Sequence, residues 1–279
     1  MRMELKKMFY KCKAYYIIAI SQFMRKVAYK RSFVISFFCR ILSVLLYCFL
    51  WNAIYHNSKS EYINGFCKSE MIMYVIATFI IYDLISCEVA KNIGEDVRDG
   101  SIAMMLIKPI SYRGNLIARN FGDYMYKLFF RGVIVFCCIE LFKMKSIQIT
   151  YWEAWNFVLF FLSVFLSFVI YSFFDFCFGM ISMKTTYAFG MLLIKDAVLS
   201  FVSGQMIPFR FMPELLSDIL QILPFSSMVY TPTMILLGQY DIKEVCIKIL
   251  IQLIWALIMF SISGIVWRKN IKQITILGG

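Results

Sequence analysis

Long apolar runs constrain this chain more than any other feature of its sequence. The first lies at about residues 33–55 and carries a single charged side chain, Arg40. About 20 apolar residues in a helix cross the roughly 30 Å hydrocarbon core of a bilayer. Hydrophobic residues make up 61% of the chain and charged residues 16%, whereas soluble domains are close to half apolar. The chain is therefore predicted to be a membrane protein rather than a soluble domain.

Six runs of this kind predict the fold class, an all-α polytopic membrane protein with six transmembrane helices. The predicted spans lie at about 33–55, 71–90, 116–142, 155–183, 187–207 and 245–267. Residues 1–32 mix basic and apolar positions, which predicts an N-terminal helix in the cytoplasmic interface of the membrane. Residues 33–279 then form a single transmembrane domain.

The basic residues predict the orientation. Most of the 29 Lys and Arg residues fall in segments that the six-span arrangement places on one side: 1–32, 91–119, 183–186 and 268–279. Basic loops stay cytoplasmic, so both termini are predicted to lie inside, in a multi-pass protein of the plasma membrane. The net charge of +12 does not indicate nucleic acid, because such binding needs a basic patch on an exposed domain. Membrane lipid is the predicted partner.

A polar island from Glu88 to Arg119 separates two of the apolar runs. Gly94 and Gly100 allow tight backbone turns, and Pro109 ends any helix that precedes it. Segment 91–115 is therefore predicted to form a small cytoplasmic coupling helix that docks on a separate motor subunit; the alternative is an ordinary solvated loop. The predicted docking residues are Gly94, Glu95, Arg98, Asp99, Gly100, Met105, Leu106 and Pro109.

Several charged residues fall inside the predicted spans. Arg40 and Asp83 lie at similar depths in adjacent antiparallel spans, so we predict an ion pair with a structural rather than a substrate-contacting role. Lys195 and Asp196 are neighbours that point to different helical faces, so separate partners are expected. The predicted intramembrane charges are Arg40, Asp83, Lys127, Arg131, Asp175, Lys195 and Asp196.

Arg119, Asp123, Lys127 and Arg131 recur at steps of four along the inner half of the third predicted span. Such spacing places them on one face of a helix. That polar stripe is consistent with the lining of a water-filled vestibule. It is equally consistent with an interfacial stretch of helix whose side chains snorkel to the surface before the span begins.

Four of the five prolines fall between residues 208 and 232. The apolar pieces between them, such as 215–223 and 225–237, are too short to span a bilayer. Short apolar pieces broken by Pro predict a re-entrant helical region, here at 208–240 on the outer side. The residues that mark it are Gly204, Pro208, Pro213, Pro224 and Pro232.

The motifs of several enzyme classes are missing from the sequence. There is no G-x-x-x-x-G-K-[ST] segment for binding ATP through a P-loop. The nine cysteines include no C-x-x-C pair and the chain has one histidine, His56, so no metal site is predicted. The single carboxylates Asp83, Asp175 and Asp196 form no close acidic pair in sequence. Transport or scaffolding is therefore favoured over catalysis, with no cofactor in this chain.

The motifs taken together resemble the ABC type-2 permeases. Gly94-Glu95, followed by a small helix and Leu106-Ile107-Lys108-Pro109-Ile110, is similar to the coupling signature of their six-helix branch, which pairs with a separate ATPase. The segment from Ser203 to Pro208 and the prolines after it resemble the outer re-entrant region of that family. The chain departs from the signature at Asp96 to Asp99, where it carries additional charge.

The resemblance implies a mechanism and a set of partners. Two permeases, identical or related, would form a dimer on two ABC ATPase subunits, which would bind the ATP and Mg. Closure of the ATPases would push on the segment near 94–109 and on the N-terminal helix. An amphiphilic substrate (antibiotic, peptide or lipid) would then leave a bacterial cell along the dimer interface near spans two and five, as in multidrug or peptide efflux.

Two other classes of function remain open from the sequence. One is a multi-pass membrane enzyme or an ion channel that uses the intramembrane charges. The other is a membrane anchor or immunity protein with no transport of its own. A neighbouring gene for a Walker-type ATPase would favour the transporter over both.

Overall fold

The computed structural model describes residues 2–28, 30–58, 62–132, 154–182 and 188–271, and nearly all of them are helical. The helices are α1 (Arg2–Ala28), α2 (Lys30–Ser58), α3 (Lys68–Ile85), α4 (Val89–Arg98), α5 (Ser101–Ile107), α6 (Tyr112–Lys127), α7 (Ala154–Ser182), α8 (Ala188–Val202), α9 (Glu214–Ile222), α10 (Tyr230–Leu236) and α11 (Ile242–Asn270). A π-helical turn, Leu128–Gly132, extends α6, and a 3-10 turn, Phe209–Phe211, precedes α9. A short antiparallel hairpin of β1 (Tyr62–Ile63) and β2 (Phe66–Cys67) joins α2 to α3.

Within the described residues, four helical segments are long and apolar enough to cross a membrane: Phe37–Ser58, Lys68–Arg98, Val158–Ile181 and Ile242–Asn270. The predicted polytopic helical architecture is thus confirmed, with the small hairpin as an unpredicted addition. The predicted third span, 116–142, lies outside the described residues beyond Gly132, and the fifth is described only from Ala188 onward. The count of six spans therefore stays a prediction.

The second predicted span, 71–90, is interrupted before its inner end. Helix α3 ends at Ile85, and α4 begins at Val89 after a three-residue break. The prediction of a turn at Gly94 is wrong, because this residue lies inside α4. Gly100 does form a turn, with a φ of 71°, a left-handed conformation that glycine adopts without steric cost.

Helix α7 lies at the centre of the fold. Its buried side chains, including Ile170, Tyr171 and Phe176, pack against α3, α4, α10 and α11. Lipid tails are as apolar as these side chains, so close packing rather than the hydrophobic effect favours helix association in a bilayer. Gly179 provides such a close approach, since a Cβ placed there would lie 2.8 Å from the Cα of Ala90 in α4.

Helix α1 packs along α6 through two glycines of α6. A Cβ on Gly114 would lie 2.7 Å from the ring of Tyr15, and a Cβ on Gly122 would lie 2.2 Å from the carbonyl oxygen of Ala19. Tyr15 also accepts a hydrogen bond of 3.1 Å from the backbone N–H of Ser111. The N-terminal helix is therefore fixed against the segment that follows the polar island.

The predicted re-entrant region folds into α9, α10 and the 3-10 turn, with its prolines at or near the helix ends. Pro208 and Pro213 precede the 3-10 turn and α9, and Pro232 lies in the first turn of α10, where a missing N–H breaks no intrahelical bond. Pro224 lies two residues after the end of α9 at Ile222. All of α10 is buried, so protein surrounds this short helix, as a non-spanning helix at membrane depth requires.

Gly204 connects this region to the rest of the fold. Its φ of 77° is left-handed, and its carbonyl oxygen accepts a hydrogen bond from the hydroxyl of Tyr74. Thr78 donates to the next carbonyl, that of Gln205, at 3.2 Å. Two side chains of α3 thus satisfy the backbone where α8 gives way to the re-entrant region.

Candidate coupling site

Helix α4 presents one apolar and one charged face. Val89, Ala90 and Ile93 are buried against the fold, whereas Glu95 and Arg98 are exposed. Apolar positions at steps of three and four produce this arrangement in a helix. The exposed side of the polar island is therefore held on a helix whose other side belongs to the core.

The carboxylate of Asp96 joins three helices. It accepts a hydrogen bond of 2.8 Å from the hydroxyl of Tyr112 in α6 and one of 3.0 Å from the hydroxyl of Ser101 in α5. Burial and the adjacent Asp96 raise the pKa of Tyr112 above its ordinary value, so the phenol remains a hydrogen-bond donor at physiological pH. Tyr112 also stacks on Trp267 of α11, with ring centroids 5.2 Å apart. The island is thus fixed to the end of the last described helix.

Helix α5 exposes apolar side chains at its tip. Ile102 is buried, and the sulfur of Met105 accepts a hydrogen bond of 3.4 Å from the amide of Asn115. Met104 and Ile107 are instead 68% and 79% exposed, and Leu106 is 37% exposed. We define Met104, Leu106 and Ile107 as the apolar tip. Exposed apolar side chains beside charged residues are typical of a protein-docking surface.

The predicted docking residues divide between the surface and the interior. Met105 is half-buried and its sulfur contacts Asn115 of α6. Arg98 donates to Asp99 at 3.1 Å, and both are exposed. Gly94 and Gly100 are partly buried and have no side chain to present to a partner. Gly94 lies within α4, and Gly100 forms the turn between α4 and α5. The exposed members of the predicted set are Glu95, Arg98, Asp99, Leu106 and Pro109.

Sequence analysis did not include Met104 and Ile107 among the docking residues, although Ile107 lies within the segment that resembles the coupling signature. Met104 and Ile107 lie one helical turn apart from each other. They occupy the face of α5 opposite to Ile102 and Met105. A helix of seven residues shows too few turns for periodicity to indicate which apolar face is buried. Gly100 marks the start of α5, and helical spacing from that residue divides the helix into two faces. The sequence does not indicate which of these faces is exposed.

A polar cavity of about 240 Å³ lies beside this surface. Gln22 and Arg25 of α1 line it together with Asn92 of α4 and Arg119 and Asp123 of α6. The amide of Gln22 donates to Asp123 at 2.8 Å. Within the described part of the chain, no group of three or more His, Cys, Asp and Glu side chains is placed to hold a metal ion. Glu88, Glu95, Asp96 and Asn120 also line the cavity, which therefore offers hydrogen-bonding groups of both charges.

The sequence matches a known protein family. A family model described as ABC-2 family transporter protein matches residues 41–278. The chain belongs to this family. It is a multi-pass membrane protein and the permease of an ABC transporter, not itself an enzyme, and permeases of the family generally work with ABC ATPase subunits. No curated protein matches the chain.

The polar stripe of the permease serves two purposes. Arg119 and Asp123 line the cavity, as a vestibule would require. Lys127 donates instead to the carbonyl and hydroxyl oxygens of Ser86, at 2.7 and 3.0 Å, and Arg131 pairs with Asp83. Neither of the two interpretations of the stripe accounts for all four residues.

The break between α3 and α4 is stabilised at both helix ends. Lys127 binds Ser86, the residue that follows α3, and Asp175 of α7 accepts a hydrogen bond of 2.9 Å from the N–H of Ala90 in the first turn of α4. Cys87 donates to the same carboxylate at 3.4 Å. A cation at a helix C-terminus and an anion at an N-terminus both complement the helix dipole. The start of α4 is thus coupled directly to α7.

Asp175 also pairs with Lys195 of α8, at 2.5 Å, with both side chains at most 5% exposed. Lys195 lies 3.1 Å from Asp196 as well, which is 51% exposed. The expectation that Lys195 and Asp196 have separate partners is therefore wrong in part. The flexible lysine side chain reaches both carboxylates, although neighbouring residues leave a helix in different directions.

The predicted pair of Arg40 and Asp83 is present, with 3.2 Å between Nε and Oδ1. Arg131 forms the closer contact, since its Nη1 lies 3.0 and 2.7 Å from the two oxygens of Asp83. Sequence analysis placed Arg131 in the stripe and among the intramembrane charges, but it predicted no partner for this residue. Its partner lies 48 residues away on another helix, and spacing along one helix cannot predict such a contact.

Proposed function

We propose that this permease docks on a separate ABC ATPase through the apolar tip and the exposed charges of α4, and exports an amphiphilic substrate such as an antibiotic, peptide or lipid. The partner ATPase supplies ATP and Mg. A second permease, identical or related, completes the transporter, and both termini lie in the cytoplasm of the plasma membrane.

The observation that supports this proposal most strongly is that the apolar tip is exposed while the rest of the same segment is bound to other helices. Met104 and Ile107 protrude, while Asp96, Tyr112 and Trp267 connect the same segment to α6 and α11. Force applied at such a tip moves the helices to which it is fixed rather than bending a loop. Through Ala90 and Asp175, the same force reaches α7 and α8.

The intramembrane charges favour a transporter over a channel that uses them. Asp83 is held by Arg40 and Arg131, and Asp175 by Lys195. A charge that conducts ions or catalyses a reaction must exchange partners, whereas buried pairs of this kind resist separation. A structural role also agrees with their positions at helix ends and helix contacts.

The dimer proposal is supported by the surface of α8. Leu193, Ile194 and Val198 are more than half exposed along this helix. An apolar helix face of this size requires lipid or another protein helix. The substrate path was predicted along the dimer interface near the second and fifth spans, and α8 belongs to the fifth. We therefore propose that the partner permease packs on α8.

The variant Met104→Asp with Ile107→Asp should lose ATPase binding while remaining folded. Two carboxylates in place of apolar side chains must be desolvated on docking, so we expect at least about a tenfold loss of co-purified ATPase. The measurement is affinity purification in detergent with a co-expressed partner ABC ATPase, together with gel filtration and a melting curve of the permease.

The matched control is Leu215→Asp with Ile222→Asp on α9, where the two side chains are 75% and 71% exposed and which the proposed orientation places on the outer side of the membrane. This control should retain the ATPase. Equal retention of ATPase by the tip variant and the wild-type permease would contradict the proposed docking surface.

A further inference from the structure

The break between α3 and α4 interrupts the backbone hydrogen bonds of a 31-residue helical segment, Lys68–Arg98. The last bond on the α3 side runs from the N–H of Ser86 to the carbonyl of Tyr82, at 2.8 Å. On the α4 side the ladder resumes with a bond of 2.9 Å from the N–H of Asn92 to the carbonyl of Glu88. Rotation of the backbone at the break therefore leaves the hydrogen bonds within both helices intact.

Side chains from two other helices take the place of the missing backbone bonds. Lys127 of α6 donates to the carbonyl of Ser86 at 2.7 Å, and Asp175 of α7 accepts from the N–H of Ala90 at 2.9 Å. A sharp interruption in a helix that has no Gly or Pro at that point arises where another group enters its hydrogen-bond ladder. The break therefore depends on contacts between helices, and its angle can change when those helices move.

Helix α3 forms a unit with α2. Among the described elements, α2 packs mainly on α3. The rings of Tyr47 in α2 and Phe79 in α3 have centroids 5.0 Å apart. Trp51 and Tyr55 of α2 are buried in one apolar cluster with Tyr74 of α3. These contacts keep the two helices together, and we call them the α2–α3 pair.

Helix α4 belongs instead with α7. A Cβ placed on Gly179 of α7 would lie 2.8 Å from the Cα of Ala90, so the two backbones are in close contact. Ile93 of α4 is fully buried in one cluster with Phe176 of α7. The carboxylate of Asp96 adds the bonds to α5 and α6. Helix α4 is therefore attached more firmly to α5, α6 and α7 than to α3, which precedes it in the chain.

Helices α3 and α7 also touch directly, close to the break. The hydroxyl groups of Tyr82 and Tyr171 lie 3.5 Å apart, which is at the long limit for a hydrogen bond. Such a contact holds α3 on α7 less firmly than the 2.9 Å bond between Ala90 and Asp175 holds α4.

We infer that residues 86–88 form a hinge at which the α2–α3 pair changes its angle to α4 and α7. Hinges are a few residues at the ends of secondary structure elements that absorb a change in φ and ψ while the elements stay rigid. The inference rests on the proposed function only for the source of the movement. An ATPase docked on the apolar tip would move α4 together with α7 and tilt both against the α2–α3 pair.

The test is the distance between two spin labels in the full-length permease in nanodiscs, measured by double electron–electron resonance. The labels are attached to p-azidophenylalanine, so the native cysteines stay in place, and an excess of unlabelled permease removes distances between copies. The first pair of labels, at Phe49 of α2 and Arg98 of α4, spans the hinge. The second pair, at Leu257 of α11 and Arg98, does not, because α11 packs along α7. All three positions are more than half exposed, and the first pair should give the broader distance distribution.

Two glycine variants separate the hinge from a general loss of helix. Glu88→Gly lies at the break and Glu95→Gly lies inside α4, and both replace an exposed glutamate by the residue with the widest choice of backbone conformations. Glu88→Gly should broaden the distribution of the first pair and leave the second unchanged. Glu95→Gly should affect both pairs alike, because both use Arg98. Equal widths of the two pairs in the wild type, as a rigid kink predicts, or equal responses of the first pair to the two variants, would overturn the inference.

A co-expressed ATPase with a non-hydrolysable ATP analogue separates the hinge from the docking. A bound ATPase that shifts the mean distance of the first pair but not of the second supports both. A bound ATPase that shifts neither pair, or both equally, contradicts the hinge and leaves the docking intact. If the ATPase does not bind through the tip, the docking proposal fails, and the two label pairs in the permease alone still decide the hinge.

Discussion

Asp175→Asn is expected to lower the free energy of unfolding of the permease by about 3–5 kcal/mol, because it leaves the charge of Lys195 buried without its main partner. Asparagine is nearly isosteric and its oxygen still accepts from the N–H of Ala90, so the loss reports the ion pair rather than the cap. The measurement is the unfolding of the detergent-solubilised permease by heat or by added denaturing detergent.

Asp196→Asn is the matched control. Asp196 contacts the same lysine but is half exposed, so its loss should cost no more than about 1 kcal/mol. Adding Lys195→Met to Asp175→Asn should restore much of the stability, since the unpaired cation is then removed. Equal melting temperatures for Asp175→Asn and Asp196→Asn would show that the buried pair does not stabilise the fold.

Gly122→Ala should separate α1 from α6. Its Cβ would lie 2.2 Å from the carbonyl oxygen of Ala19, and a backbone atom cannot move aside as a flexible side chain can. Overpacking of this kind costs about 1–3 kcal/mol, so α1 should open at least about fivefold more often. Trypsin cleavage after Arg25 and Lys26, measured on the folded permease, should accelerate accordingly.

Gly190→Ala gives the comparison for this change. Gly190 is also helical, in α8, and a Cβ there meets no atom within 4 Å. This variant should keep the cleavage rate of the wild type. Equal cleavage of the two alanine variants would contradict the packing of α1 on Gly122.

The sequence predicted the features that depend on local pattern. Apolar runs marked the membrane helices, and equal depth in adjacent spans marked the pair of Arg40 and Asp83. The proline cluster indicated the short helices after α8. In each case the residues that form the pattern lie in one helix or in two helices that are adjacent in sequence.

Features that depend on distant helices were not predictable in this way. No Gly or Pro marks the break after Ile85, which Lys127 and Asp175 stabilise from two other helices. Gly94 suggested a turn, but packing of α4 on α7 keeps it helical. Met104 and Ile107 were missed because a short helix does not show which apolar face remains exposed.

The most direct test of the account is photo-crosslinking from the apolar tip. A benzophenone amino acid replaces Ile107 in one variant and Leu215 of α9 in another, and each permease is expressed with its ATPase. The account predicts an ATPase adduct from position 107 and none from position 215. The absence of an adduct at 107, or equal adducts from both positions, would contradict docking of the ATPase on this tip.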